Sequence, residues 1–202
     1  TTGSSTKEVT SDTVKWTSTI ARVVTLATVK DGYIKMASDL TAVKSFLAAN
    51  SIPDAAIDVS PIFMNEIYDN NTSQANKNYN LTQNIEVQST DVNKIDDLSK
   101  NTNSLIIEKG IRFSTVALEY YYSKLPEARV ALLADAVADA KARAGKLAEA
   151  GGKTIGALKS ASSGVVQVLS PNSAAISDYG TYDTSKIQKQ IMITVKASFE
   201  IK

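Results

Sequence analysis

Apolar residues recur along this chain with two periods, and the switches between them mark its elements. From Thr13 to Val29, Val14, Trp16, Ile20, Val24 and Leu26 share one parity, the alternation of a half-buried strand. At ~3.3 Å per residue that strand would run about 50 Å. Arg22 interrupts the apolar parity, which predicts a bulge or a change of burial partner there. Asp31-Gly32 reads as a turn. Ile34, Leu40, Val43, Phe46 and Leu47 then recur at helical spacing through Asn50, with Pro53 soon after. Ile57 to Tyr68 is a second strand, carrying Ile57, Val59, Phe63 and Ile67 on one face, and Pro61 predicts an edge position or a bulge. A polar loop over 69–78 leads into a third strand, Tyr79, Leu81, Ile85 and Val87, so strands two and three form a hairpin.

A second helix starts at Ser89-Thr90-Asp91, places Val92, Ile95, Leu98, Leu105 and Ile106 at helical spacing, and stops at Gly110. The fourth strand, Ile111 to Ser123, flips its apolar parity between Phe113 and Val116, which implies a bulge or burial on both faces. Lys124 to Gly152 is the strongest helix signal. Pro126 suits its first turn, Glu127 complements its positive end, and Asp139 and Arg143 are spaced for an i,i+4 pair. Its apolar stripe is Leu132, Leu133, Ala136, Val137, Ala140, Ala144, Leu147 and Ala148, and Gly151-Gly152 ends it. Ile155 to Leu169 is strand-like, 170–186 is a second long polar loop, and Ile187, Ile191, Ile193, Val195, Ala197, Phe199 and Ile201 line one face of the last strand. The order β-α-β-β-α-β-α-β-β predicts an α+β fold. Its sheets are mainly antiparallel, with helices on one face and a ferredoxin-like first part.

Composition changes this picture by exclusion. The chain has 202 residues, 22 Lys plus Arg against 21 Asp plus Glu. That balance argues against a nucleic-acid partner, which needs a basic surplus or patch. There is no cysteine and no histidine. Disulfides, thiolate nucleophiles and any Ser-His-Asp or Cys-His site within one chain are therefore excluded. No apolar run approaches the roughly 18 residues of a transmembrane helix. Residues 1–11, TTGSSTKEVTS, are small and polar and predict a flexible leader before a single domain over 12–202. Within it, subdomains of about 12–123 and 124–202 can interleave. The start without Met reads either as the boundary of a longer chain or as a mature end after signal removal.

Several short stretches, in order, resemble the SIMPL-domain family of exported bacterial and archaeal proteins. They are Asp12-x-x-x-Trp16, Ser45-Phe46-Leu47-Ala48-Ala49-Asn50-Ser51-Ile52, and Ile107-Glu108-Lys109-Gly110-Ile111. The longest is Tyr121-Tyr122-Ser123-Lys124-Leu125, then Ala134-Asp135-Ala136-x-x-Asp139-Ala140-Lys141-Ala142-Arg143-Ala144, Leu147-Ala148-x-x-Gly151-Gly152 and Ile155-Gly156. The resemblance covers nearly all the chain after residue 12. It implies an extracytoplasmic protein, at the periplasm or cell surface, in a family some of whose members are linked to oxidative-stress defence or form ring- or channel-like homo-oligomers. It carries over no catalytic residues.

The residues that could carry chemistry are few. Gly151-Gly152-Lys153-Thr154 echoes a phosphate-binding loop, but Leu147 stands where the motif needs its first glycine, and the stretch closes a helix instead of opening one. Asp135 with Asp139, and Asp96 with Asp97, could share a cation, yet solvated or paired helix charges explain them better. Asp69-Asn70-Asn71-Thr72 could hold calcium weakly, though a polar loop tip is the simpler reading. Tyr120, Tyr121 and Tyr122 divide between core and interface roles, and Trp16 reads as a core anchor. The sequons at Asn70, Asn71 and Asn80 are fortuitous in a prokaryotic family. The chain therefore reads as non-enzymatic, with no catalytic, cofactor or metal residues. Its expected partner is itself, in a ring, channel, tube or cage, with the two polar loops at a rim or lumen. The alternative is a periplasmic binding module for a small molecule or partner protein.

Overall fold

A computed structural model of the chain describes residues 1–68, 77–173, 177 and 179–202. Its fold is α+β, with three α-helices and two mostly antiparallel sheets, in the order expected. The residues cluster into two compact units, Thr13–Glu119 and a second made of Thr1–Asp12 with Tyr120–Lys202.

In the Thr13–Glu119 unit the strands are β2 (Thr13–Thr25), β3 (Ile57–Val59), β4 (Phe63–Ile67), β5 (Asn78–Ser89) and β6, which begins at Arg112 and runs on to Tyr121. Between them lie α1 (Val29–Ala49) and α2 (Val92–Lys100). The sheet order β3-β5-β2-β6, with β4 also on β5, is the ferredoxin-like arrangement. β2 pairs with β5 without a slip from Val14↔Ser89 to Thr25↔Asn78. No bulge occurs at Arg22, so its inward position is met by a new partner on α1. Val14, Trp16, Ile20 and Val24 are buried from β2, Leu81, Ile85 and Val87 from β5, and Met36, Val43 and Leu47 from α1.

Three local expectations change. Asp31-Gly32 is not a turn but lies in the first turn of α1. A Cβ on Gly32 would sit 2.4 Å from Val24 Cγ1, so glycine is what lets the helix start so close to β2. The strand predicted over Ile57–Tyr68 is split around Pro61 into β3 and β4, both on the same strand β5. Ser60 stitches the gap: its N–H donates to Asn84 O at 3.0 Å and its Oγ accepts from Asn84 N at 2.9 Å. The second helix stops at Lys100, with Asn101 as its cap, and a separate π turn covers Ser104–Glu108 before Gly110 at φ 64°.

The other unit holds β1 (Thr2–Thr10), α3 (Leu125–Ala150), β7 (Ile155–Ser163), β8 (Gln167–Leu169), β9 (Thr181–Tyr182) and β10 (Gln188–Ile201). Residues 1–11, expected from composition to be a flexible leader, instead supply β1. It pairs with β10 from Thr2↔Lys196 to Thr10↔Gln188. Small polar residues do not prevent a strand when a long neighbour supplies the ladder. β10 is central, with β1 on one edge and β8 and β7 on the other. Part of the second polar loop also becomes regular, since β9 pairs in parallel with β8. The 69–76 part of the first loop, with Asp69, Asn70, Asn71 and Thr72, lies outside the described residues, as do 174–176 and 178.

α3 packs by one narrow ridge. Ala128, Leu132, Ala136, Ala140, Ala144 and Ala148 recur every fourth residue and are buried, the first four in one core with Val9, Ile191, Ile193, Val195 and Ala197. Leu133 and Val137 pack at the margin. Leu147, expected in the stripe, is 68% exposed. The helix ends as predicted: Gly152 takes φ 70°, and Lys153 N donates to Ala148 O at 2.8 Å.

Candidate assembly surface

Among the described residues β1, β7 and the two-residue β9 lie at edges of this sheet, and the two long edges, β1 and β7, are built differently. Thr1 and Ala197 exchange both backbone hydrogen bonds. By antiparallel alternation the N–H groups of Thr2, Ser4, Thr6, Glu8 and Thr10 therefore point away from β10. This edge is guarded. Asp139 of α3 accepts the Ser4 N–H at 2.8 Å, and Arg143 Nε holds the same carboxylate oxygen at 2.8 Å. The Ser4 N–H, then Arg143, keep the Asp139 carboxyl below its ordinary range. Lys7 and Glu8 add exposed charge along the strand, a standard defence against edge pairing.

β7 carries one exposed charge, Lys159, and no charge beyond it toward Ser163. Ala157 to Ser163 are exposed, and the sequence Ser160-Ala161-Ser162-Ser163 pairs regularly with Val195 to Ser198. Irregularities lie only before Ser160, opposite Phe199 and Ile201. Because Ala197 gives both its backbone groups to Thr1, Ala161 opposite it must turn its N–H and C=O outward. Beside β7, the outer side of α3 forms an open groove of about 970 Å³, lined by Ala138, Ala142, Gly145, Leu147 and Ile155 together with four charged side chains of α3. Leu147, Leu158 and Ile201 are 68%, 47% and 71% exposed, an apolar load beyond scattered single residues.

The residues singled out from sequence fall mostly into structural roles. Asp135 is exposed, while Asp139 serves Ser4 and Arg143, and Asp96 pairs with Lys100 at 2.6 Å. No group of three or more carboxylates converges among the described residues. Gly151-Gly152-Lys153-Thr154 closes α3 and enters β7, with Thr154 and Lys202 exchanging backbone hydrogen bonds. Trp16 is 1% exposed, edge-on to Phe113 at 5.9 Å, and donates to Thr115 Oγ1 at 3.1 Å. Tyr120 is buried, Tyr121 packs 5.8 Å from Tyr182, and Tyr122 donates its backbone N–H to the Tyr182 hydroxyl at 2.8 Å. The tyrosine run therefore belongs to the inside of its unit. β6 passes from one compact unit to the other after Glu119, so the parity flip between Phe113 and Val116 falls within the Thr13–Glu119 unit. Asn80 sits inside β5, between Val23 and Asn65.

Sequence reasoning missed Lys189. It occupies the inward position between Ile187 and Ile191, is 1% exposed, and donates to the carbonyls of Asp183 and Lys186 while lying 5.4 Å from the Tyr182 ring. Burial lowers its pKa and Asp183 partly offsets that. The signal was available as the one gap in the apolar series of the last strand. Asp183 accepts from the Ser170 hydroxyl and the Ser185 N–H, which pull its pKa to about 2. A depressed carboxylate stabilises the fold above its ordinary pKa of 3.8 and loses that contribution as pH falls toward about 2. Asp183→Asn is expected to flatten the fall in melting temperature over that window. Parallel melting curves for the two proteins would remove this role.

The family model of SIMPL, described as "Protein of unknown function (DUF541)", matches residues 1–200. The chain belongs to the SIMPL family. The matched region includes β1. No curated protein matches this SIMPL chain. No helix among its described residues is long and apolar enough to cross a membrane.

Proposed function

We propose that this SIMPL protein is a non-enzymatic, exported protein that works by assembling with copies of itself at the cell envelope or surface. The observation that carries the reading is the outward edge of β7 beside the apolar groove on α3. The partner that fits is a second copy. Two β7 strands can pair antiparallel about a two-fold axis, since the same patch then serves both sides. The small residues Ala138, Ala142 and Gly145 let the two α3 helices approach. The missing His and Cys support a non-enzymatic role, and the family resemblance supports export and assembly.

Ala161→Pro combined with Ala142→Glu tests the surface. The proline removes an outward N–H without touching the β10 ladder, and the glutamate charges the groove. The parent should show a mass above the 21.6 kDa of one chain by light scattering at micromolar concentration. The double variant should fall to that mass with an unchanged circular-dichroism spectrum. A parent that is strictly monomeric would defeat the assembly reading, and a variant that keeps the parent's mass would remove this surface from it.

A second reading, a binding module for a small molecule or partner protein, is favoured by a cationic cavity in the Thr13–Glu119 unit. A ligand-induced rise in melting temperature would support it.

A further inference from the structure

The inward Arg22 opens onto a cavity of about 460 Å³ between the first turns of α1 and the ends of β2 and β6. That volume suits a small ligand. Three cationic side chains line it: Arg22 from β2, Lys35 from α1 and Arg112 from β6. Arg22 is fixed by Asp39, which accepts from Nε at 2.5 Å and from a terminal guanidinium nitrogen at 2.7 Å. A guanidinium has five N–H donors, so this fork leaves three, and the side chain stays 27% exposed. Lys35 and Arg112 are exposed, and neither forms an ion pair among the described residues. Asp31 is the one carboxylate that lines the cavity, since Asp39 is committed to Arg22. Val23 and Val24 give it an apolar wall, and the missing side chain of Gly32 keeps α1 close to Val24.

We propose that this cavity binds a small, multiply charged oxyanion of the phosphate-monoester class. Three cations against two carboxylates, one of them the Asp39 paired with Arg22, leave a net positive charge around the concavity that a bound anion offsets. Guanidinium forks match phosphate oxygens, and Arg22 arrives already oriented by Asp39. The apolar wall leaves room for the organic part of an ester. The site lies wholly within one compact unit, so it is independent of self-assembly.

Titration of the full chain with inorganic phosphate and with glycerol phosphate, at low ionic strength, tests the proposal. Both are expected to bind saturably, the ester more tightly. Arg112→Ala and Lys35→Ala should each weaken binding about tenfold, the loss of one charge-assisted hydrogen bond. Their unliganded melting temperatures should match the parent, because both side chains are exposed and outside any ion pair described. Lys7→Ala, on β1, should leave affinity unchanged. Absence of saturable binding to the parent overturns the site. So does undiminished affinity in both cavity variants, which would place any bound anion elsewhere.

Discussion

Gly3→Ala is expected to destabilise the protein by ~3 kcal/mol or more, at or beyond the usual range for overpacking. A Cβ at Gly3 would lie 2.2 Å from Ala136 O, 2.3 Å from Ala140 N and 2.8 Å from Ala140 Cα. These are backbone atoms of α3, so no side chain can rotate away. Either α3 lifts from the sheet and exposes its alanine ridge, or β1 leaves β10. For a chain of this length the shift in melting temperature would be on the order of 10 °C. Thr6→Ala, at an exposed outward position on the same strand, should change stability by less than about 0.5 kcal/mol. The sign of the glycine effect is itself diagnostic. In a flexible leader, Gly3→Ala would be neutral in the folded state and would not lower stability. Amide exchange along β1 gives the second readout, with Val9 and Lys7 losing protection in the variant. A Gly3→Ala protein that melts with the parent would mean α3 does not rest on β1.

That contrast shows where the sequence was legible. Periodicity located the ferredoxin-like unit because β2 and β5 bury one face each, and Val14, Trp16, Leu81 and Ile85 announce it. The long helix was equally plain, with Pro126 at its start and Gly151-Gly152 at its end. β1 was hidden because, of Ser5, Lys7 and Val9, which share the parity of Gly3, only Val9 is apolar. The reason is steric, since α3 lies so close at Gly3 that no side chain fits. Asp31-Gly32 misled for a related reason: a glycine needed for close packing carries the same letters as a turn.

The surface proposed for assembly was less legible still. Alanine spacing on α3 identifies the buried ridge, but Ala138 and Ala142 look the same in sequence and line the open groove. Leu147 fitted the helical period of the stripe, yet the ridge follows every fourth residue and leaves it outside. The two inward cations carried a signal that periodicity treats as noise. Lys189 and Arg22 both stand at core positions of long strands, and each is held by oxygen acceptors supplied from another part of its own unit. A charged residue in an apolar series is a prediction of a partner, and the partner is what local pattern cannot name.

Arg22→Ala is the second large effect expected. It removes both hydrogen bonds from Asp39, whose side chain is 7% exposed, and leaves a carboxylate buried under α1. Breaking a buried pair from one side costs about 3–5 kcal/mol at neutral pH. Asp39→Ala should cost less, because the surviving guanidinium is 27% exposed and can turn to water. Arg22→Met with Asp39→Leu removes both charges and keeps much of the volume, so it should recover most of the loss. Urea unfolding at neutral pH, completed as a double-mutant cycle, separates these terms. Equal losses in Arg22→Ala and in the apolar double variant would place the cost in packing.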